Sequence, residues 1–209
     1  MIILEYLLFI CAAYLLGSLP TGLIVSKVFG KGDLRKFGSG KTGATNVLRT
    51  VGKLAALIVV VFDFSKGAIP VIIAYYLVGD TPLAITGAFA ATCGHVWPVF
   101  ANFRGGRGVA AIIGGLLALL PWLGVLILAI GVLLLIIFRI VSVMSLGAAF
   151  LGMVISIVLL VLDHLDLAIT LYVVLGTMFL FFTHTANLKR LFSGEEPRVG
   201  LGGDRKVGN

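Results

Sequence analysis

A glycine-rich stretch from Phe37 to Arg49 (FGSGKTGATNVLR) is the first part of the chain whose residue types could do chemistry. Its glycines free the backbone to turn N–H groups toward an anion: Gly38, Gly40 and Gly43. Neutral hydrogen-bond donors alternate with them or follow them: Ser39, Thr42, Thr45 and Asn46. Arg49 adds a guanidinium fork that suits phosphate oxygens. A flexible loop explains the glycines alone, whereas a phosphate-binding loop explains both the glycines and the donors.

The sequence Gly40-Lys41-Thr42 has the residues that end a nucleotide-binding P-loop. The complete motif, GxxxxGK[ST], needs its first glycine at position 35, where this chain has Arg35. The stretch also follows an apolar segment of helical length, and no strand–helix–strand pattern occurs in the chain. We therefore predict that this loop binds phosphate groups but no nucleotide.

A second stretch, GHVWPVFANFRGGRGVA from Gly94 to Ala110, repeats this chemistry. Its centre is another glycine-rich cationic turn, with the residues Arg104, Gly105, Gly106, Arg107 and Gly108. His95 lies just inside the preceding apolar segment. A histidine there either satisfies an interhelical hydrogen bond or has a function, and the cost of ionisable groups in a membrane favours a function.

A third polar cluster, HTANLKRLFSGEE, runs from His184 to Glu196. His184 and Asn187 are three residues apart, so they share one face of a helix that leaves an apolar segment. Lys189 and Arg190 are typical of anchors at a membrane interface.

Other residues set limits on the chemistry. Asp63 and Lys66 are three residues apart within an apolar segment, which predicts an intramembrane ion pair. The three histidines, His95, His164 and His184, have no carboxylates at metal-ligand spacing, so neither a metal nor another cofactor is predicted. No GxSxG motif is present, so a serine acyl-enzyme is not indicated.

The elements that must position these residues are membrane helices. Of the 209 residues, 60% are hydrophobic and 12% charged, a composition typical of a polytopic membrane protein. We predict an all-α fold in a single domain, residues 1–209. It has seven spans, with a break at Pro121 dividing an apolar run too long for one: roughly 2–25, 52–78, 82–100, 109–120, 122–138, 141–162 and 166–184.

The charges predict how these spans are oriented. All but one of the sixteen Lys and Arg residues fall on one side of the predicted membrane, the exception being Lys66 within a span. That side includes the C-terminal tail, with Arg198, Arg205 and Lys206. The other side carries four acidic residues: Glu5, Asp80, Asp163 and Asp166. The positive-inside rule then places the N-terminus outside and the C-terminus in the cytosol.

Polar, phosphate-binding patches at one membrane boundary favour an enzyme that joins a phosphorylated polar molecule to a lipid-soluble one. A transporter for a phosphorylated anion would have broken or charged helices at the midplane and an inverted repeat, and of these only Asp63 and Lys66 are found. A scaffold that binds lipid headgroups would have the basic residues without the glycine and serine donors. Product formation in detergent, where no transport exists, distinguishes these classes.

Taken together, the three stretches resemble the three cytosolic motifs of the bacterial acyl-phosphate:glycerol-3-phosphate acyltransferase family. The resemblance also includes GSLPTG before the first stretch and FDFSKGAIP in the second predicted span, and the pieces follow the family's order over nearly the whole chain. It implies a seven-span enzyme in the bacterial inner membrane with a cytosolic active site. Such an enzyme transfers a fatty acyl group from acyl phosphate to the 1-hydroxyl of sn-glycerol 3-phosphate, producing 1-acylglycerol 3-phosphate (lysophosphatidate) and phosphate in the first step of phospholipid synthesis. Its partners are these two substrates and the bilayer, with no nucleic acid and no nucleotide.

The resemblance also implies roles for individual residues. The catalytic set is Ser39, Arg49, Arg107, His184 and Asn187. The set that binds substrate or phosphate is Gly40, Gly43, Thr45, Asn46, His95, Arg104, Gly105, Gly106, Gly108 and Glu196. Three positions depart from the family: Lys41 stands where asparagine is usual, and Arg104 and Arg107 where lysine is usual. For the general base, His95, His184 and a phosphate oxygen of the substrates remain open, and the resemblance favours the substrate oxygen.

Overall fold

The computed structural model describes residues 2–199, and this part of the chain is helical without a strand. The predicted all-α class is confirmed. Within residues 2–199, ten α-helices follow one another: α1 Ile2–Gly17, α2 Thr21–Val28, α3 Ala44–Thr50, α4 Lys53–Val71, α5 Thr81–Val96, α6 Val109–Leu119, α7 Pro121–Phe138, α8 Val141–Val161, α9 Leu167–Thr183 and α10 Thr185–Phe192. Short 3₁₀ turns at Leu34–Lys36 and Val99–Ala101 precede the two glycine-rich loops. Arg205 and Lys206 of the predicted cytosolic tail lie outside the described residues.

The described chain forms two compact units, residues 2–118 and residues 119–199. In the first unit, α1 packs on α5, and α4 packs on α5 and α6. Glycines allow these helices to approach closely: a Cβ at Gly17 would collide with the Ala91 carbonyl, and one at Gly67 with the Ala111 carbonyl. Such contacts between small residues are a usual means of helix association in lipid.

Helix α4 changes its geometry near a proline. Pro70 is inside α4, and from Ile72 to Val78 the chain continues as a π-helix. Because proline lacks an N–H and clashes with the carbonyl four residues earlier, a local change of hydrogen-bond register is its expected consequence. The polar residues Asp63 and Lys66 are on the regular part of α4, before Pro70.

In the second unit, α8 packs between α7 and α9. The crossing of α7 and α8 again depends on small residues, since a Cβ at Gly152 would collide with Ile127. Helix α9 ends at Thr183, and α10 starts at Thr185 with a bend of 67°. His184 is at this bend.

Five segments of the described chain are long and apolar enough to cross a membrane: Ile3–Val28, Lys53–Val78, Thr81–Ala101, Pro121–Phe138 and Val141–Val161. The bent pair of α9 and α10 adds a sixth if it counts as one span. The predicted break at Pro121 is present, but it leaves α6 with 11 residues. A helix of that length reaches about 16 Å, about half of a hydrocarbon core. The structure therefore supports a membrane protein with several apolar helices, and the count of seven spans stays a prediction.

Candidate active site

The first glycine-rich loop turns sharply between the 3₁₀ turn at Leu34–Lys36 and α3. Gly38 and Gly40 have φ values of +56° and +67°, in the left-handed region that glycine adopts without strain. Gly43 has an extended conformation and caps the N-terminus of α3. The side chain of Ser39 is exposed next to these glycines, while Arg49 is exposed on the last turn of α3.

Asn46 holds this loop from the inside. Its side chain is 2% exposed. The Nδ2 group donates to the carbonyl oxygens of Leu34, Phe37 and Lys41 at 3.3, 3.0 and 2.8 Å, and Oδ1 accepts from the Ser39 N–H at 3.2 Å. The resemblance implied that Asn46 contacts phosphate, but in this structure its amide is used within the loop.

Replacing Asn46 with aspartate is expected to destabilise the loop and to lower activity. A carboxylate of the same size has no N–H for the three carbonyl oxygens, and leaving buried acceptors unpaired costs about 1–3 kcal/mol. Thermal unfolding in detergent and kcat/KM measure the two effects. The same exchange at the exposed Asn102 is expected to leave Tm unchanged. A wild-type Tm and wild-type activity in Asn46→Asp would contradict this role.

The second glycine-rich loop folds back onto the end of α5. The N–H groups of Gly105 and Gly106 donate to the carbonyl oxygens of Val96 and His95, both at 3.1 Å. A Cβ at Gly106 would collide with the His95 ring, and one at Gly105 with the His95 carbonyl. Gly108 then has a φ of +90° and leads into the N-terminus of α6, where unpaired N–H groups and the helix dipole favour an anion.

The two loops meet. The Thr42 N–H donates to the Gly105 carbonyl at 3.5 Å. Lys41 is next to Thr42 in this contact, and partial burial together with the positive charge of Arg107 lowers the pKa of the Lys41 ammonium. An anion bound near both side chains offsets the repulsion between their positive charges.

Arg35 provides a second link between the loop regions. Its guanidinium forms an ion pair with Asp33 at 2.8 Å, and its Nη1 donates to the Ala101 carbonyl at 3.1 Å. The hydrogen bonds from Arg35 lower the pKa of Asp33 to about 2. A cavity of about 470 Å³ lies beside this link. Three of its lining residues are cationic, Arg35, Lys36 and Arg104, and the other two are Asp33 and Asn102. The predicted substrate residue Arg104 thus faces a cationic pocket.

The third polar cluster belongs to the second unit. Asn187 and Glu196 are brought together, because Asn187 Nδ2 donates to Glu196 Oε1 at 2.5 Å. Arg190 Nε donates to the other carboxylate oxygen at 2.7 Å. His184 is 2% exposed, and its Nδ1 lies 2.8 Å from the Leu180 carbonyl, which can only accept. Nδ1 of His184 therefore carries a proton, and in the neutral ring Nε2 is the basic nitrogen.

The stability that Glu196 contributes is expected to depend on pH. Its burial raises the pKa of the carboxyl group, but the hydrogen bonds from Asn187 and Arg190 outweigh this and lower it. A lowered folded-state pKa means stabilisation that is present above the ordinary carboxyl value of 4.5 and is lost as the pH falls through the folded-state pKa.

We therefore expect Glu196→Gln to lower Tm at pH 7, and we expect its difference from the wild type to shrink as the pH falls below 4.5. Thermal unfolding over a pH series measures this. The exposed neighbour Glu195, changed in the same way, is the matched control and is expected to have little effect at any pH. A Tm difference for Glu196→Gln that is independent of pH would contradict the assignment.

The site residues predicted from the sequence thus fall into two groups. The first unit brings together those of the two glycine-rich loops, and the second unit holds His184, Asn187 and Glu196. Sequence reasoning missed Asp33 and Arg35, although an aspartate two residues before an arginine was a possible signal of a capped turn. Within residues 2–199, no three His, Cys, Asp or Glu side chains are grouped so that they could hold a metal ion.

Known proteins are similar to this chain over most of its length. The sequence profile of the glycerol-3-phosphate acyltransferase family matches residues 7–194. The chain belongs to this family. Glycerol-3-phosphate acyltransferases of Jannaschia sp. (strain CCS1) and Thiobacillus denitrificans are each 44% identical to it, over 90% of both chains for the first and over 93% of this chain and 98% of the relative for the second.

Solved structures extend the family likeness to the fold. A crystal structure of PlsY, an integral membrane glycerol 3-phosphate acyltransferase in its glycerol 3-phosphate form, has a TM-score of 0.85 and 32% identity, covering 94% of this chain and 96% of that one. The lysophosphatidic acid form of PlsY has a TM-score of 0.84 at the same identity and coverage. This member of the glycerol-3-phosphate acyltransferase family is therefore an acyltransferase integral to the membrane.

Proposed function

We propose that the protein transfers a fatty acyl group from acyl phosphate to the 1-hydroxyl of sn-glycerol 3-phosphate. An ester bond forms between the acyl carbon and O1, the bond between that carbon and the phosphate oxygen breaks, and the hydroxyl proton leaves with the phosphate. The products are 1-acylglycerol 3-phosphate and inorganic phosphate. No cofactor takes part, and the reaction is the first step of phospholipid synthesis.

The meeting of the two glycine-rich loops is the observation that carries this proposal. Both substrates have a phosphate group, and the loops bring Lys41 and Arg107 together at the contact between Thr42 and Gly105. An anion bound there relieves the repulsion between the two cations. Lys41, which stands where the family usually has asparagine, then strengthens anion binding.

Two phosphate groups that are close together repel each other, so cationic donors must offset this repulsion. We assign this task to Arg49 and Arg107, together with Ser39 and the N–H groups of the loops. The same donors stabilise the charge that develops on the departing phosphate and on the carbonyl oxygen, and each is worth roughly 3 kcal/mol. The remaining substrate contacts are assigned to Gly43, Thr45, His95, Arg104 and Gly108. The N–H groups of Gly40, Gly105 and Gly106 donate to the carbonyl oxygens of Phe37, Val96 and His95, so these three glycines support the contacts by shaping the two loops. Asn46 supports them by shaping the first loop.

The proton of the 1-hydroxyl is transferred to a phosphate oxygen of the substrates. The histidines then orient groups and do not act as bases. His95 has its Nδ1 at 3.5 Å from Asp63, which favours such a role. His184 and Asn187 are assigned to catalysis on the resemblance of the third motif, and Glu196 holds Asn187 in position.

Changing His184 to glutamine tests substrate assistance. Glutamine can keep a hydrogen bond but cannot act as a base near neutral pH, so we expect a loss of about tenfold or less in kcat. The pH dependence of kcat in the variant is expected to keep the wild-type shape. A loss of several orders of magnitude with unchanged KM values would show that His184 is the general base.

We further propose seven membrane spans, with α1 and α2 forming the first and α6 the short fourth. The protein lies in the inner membrane of a bacterial cell. Its N-terminus is outside, and its active site is on the cytosolic face. The distribution of charge supports this orientation, since Arg104, Arg107 and Arg139 share a side with the first loop, whereas Asp80 and Asp163 are on the other.

The donor is tested with purified protein in detergent. We expect palmitoyl phosphate and glycerol 3-phosphate to give phosphate and lysophosphatidate in equal amounts, without CoA, ATP or metal. Acyl-CoA or acyl carrier protein as donor is expected to give no product. Turnover with acyl-CoA but not with acyl phosphate would contradict the proposed donor, and an absence of product from folded protein would contradict the proposed reaction.

A further inference from the structure

Three side chains surround one carboxylate oxygen inside the first unit. Oδ1 of Asp63 accepts hydrogen bonds from Thr21 Oγ1 and Lys66 Nζ, both at 2.6 Å. The Lys66 ammonium also donates to Thr21 Oγ1 at 3.0 Å, which closes a triangle. His95 Nδ1 lies 3.5 Å from the same Asp63 oxygen. Helices α2, α4 and α5 are thus joined at a single atom.

The network is enclosed. Asp63, Lys66 and His95 are 1%, 3% and 7% exposed. Charges buried in this way must be paired and hydrogen-bonded to be tolerated, particularly within membrane helices. The carboxylate and the ammonium balance each other, and Thr21 satisfies both. A role in the stability of the helix bundle accounts for this pairing, but it does not explain where the network leads.

From His95 the network leads to the second glycine-rich loop. The His95 carbonyl accepts the Gly106 N–H at 3.1 Å, and the edge of the His95 ring that carries Nε2 lies against Gly106 without room for a Cβ. A rotation or shift of His95 would therefore move Gly106. Since Asp63 contacts the opposite ring nitrogen, the ring is held between the ion pair and the loop.

From Thr21 the network leads to the first loop. The next residue, Gly22, packs so closely against the Thr42 carbonyl that a Cβ would collide with it. Thr42 in turn donates its N–H to Gly105. The two loops that meet at Lys41 and Arg107 are thus each supported by a residue at or next to this network.

We propose that Thr21, Asp63, Lys66 and His95 form a positioning network, which sets the distance between the two glycine-rich loops and so the affinity for phosphorylated substrate. The inference rests on the proposed function, because the measured quantity is the KM for glycerol 3-phosphate. Loosening the network separates the loops, so it weakens substrate binding even when the protein stays folded.

The test uses full-length protein in detergent with palmitoyl phosphate and glycerol 3-phosphate. Thr21→Val removes one link and keeps the shape of the side chain, and we expect it to raise the KM for glycerol 3-phosphate about threefold to tenfold. The double variant Asp63→Asn with Lys66→Met removes both charges without leaving one unpaired, and a larger rise is expected. When Thr21→Val or the double variant is combined with Gly106→Ala, we expect a smaller additional rise in KM than the same change causes in the wild type. The effects are not additive because the network and Gly106 act on the same loop.

Thr92→Val is the matched control. Thr92 is fully buried on α5, one turn before His95, and among residues 2–199 its hydroxyl bonds only to the Ala88 carbonyl in its own helix. We expect it to leave the KM unchanged. A merely structural network would lower Tm or the active fraction, and with it the maximal rate, but not the KM.

An unchanged KM for glycerol 3-phosphate in Thr21→Val would overturn the inference. Full additivity between the KM effects of the network variants and that of Gly106→Ala would also overturn it. If the double variant does not fold, Thr21→Val alone decides. Wild-type protein that forms no product would instead contradict the proposed function, so the two failures are distinguishable.

Discussion

Replacing Arg107 with alanine is expected to lower kcat/KM by about a hundredfold or more. Arg107 follows the glycines of the second loop, and its positive charge lowers the pKa of Lys41 in the first loop. It therefore lies close to the contact between Thr42 and Gly105, where the two loops meet. A donor that stabilises charge developing in the transition state is worth roughly 2.7–4 kcal/mol. The initial rate of phosphate release at varied concentrations of both substrates measures the loss.

Two further variants sharpen this test. Arg107→Lys keeps the charge but loses the planar fork, so an intermediate activity is expected. Lys27→Ala removes an exposed cation from α2, on the side of the membrane that we propose is cytosolic, and is expected to leave kcat/KM unchanged. If Arg107→Ala and Lys27→Ala had equal and small effects, Arg107 would contribute only to the general charge of this face.

Replacing Gly106 with alanine is expected to have the second largest effect, a roughly tenfold to hundredfold loss of kcat/KM. The added methyl group would collide with the His95 ring, which is itself held near Asp63. Forcing one methyl group into a packed site typically costs about 1–3 kcal/mol. Here we expect the clash to be relieved by a displacement of the second glycine-rich loop. We expect most of the loss in the KM for glycerol 3-phosphate.

Gly131→Ala is the control for Gly106→Ala. Gly131 is within α7, and a Cβ there would make ordinary contact with Ala148 at 3.4 Å. Alanine also suits a helix better than glycine, so this variant is expected to keep its activity and to be at least as stable as the wild type. Wild-type KM values in Gly106→Ala would mean that the loop does not hold substrate in the conformation described.

Much of the helical framework could be predicted because lipid imposes it. A long apolar segment must satisfy its backbone hydrogen bonds internally, so apolar length alone indicates helices. Pro121 was therefore a reliable sign of a break, and α7 begins there. The π-helix after Pro70 was not predictable in the same way, because a proline can be accommodated by a kink, a break or a change of register.

In the glycine-rich loops, the local sequence pattern predicted the turns but not the direction of every polar side chain. The positive φ values of Gly38, Gly40 and Gly108 agree with the turns that their glycines indicated. The inward position of Asn46 was not visible in the sequence, because its partners at Leu34 and Phe37 lie far from it along the chain. A residue that could have faced substrate instead shapes the loop.

Contacts between residues far apart in the sequence were the features that the sequence predicted least well. The pattern predicted the ion pair of Asp63 with Lys66, which is confirmed at 2.6 Å, because both residues are on one helix. It gave no sign that Thr21 and His95 would join them, since these contacts depend on how α2 and α5 pack on α4. Packing of this kind follows from small residues along whole helices and not from a short motif.

Direct binding of glycerol 3-phosphate tests the central claim, that phosphate is held where the two glycine-rich loops meet. Calorimetric titration of purified protein in detergent would compare the wild type with Arg107→Ala, using glycerol as the uncharged control ligand. We predict that the wild type binds glycerol 3-phosphate, that glycerol does not bind measurably, and that the variant binds at least about tenfold more weakly. Equal affinity of the two proteins for glycerol 3-phosphate would contradict the account.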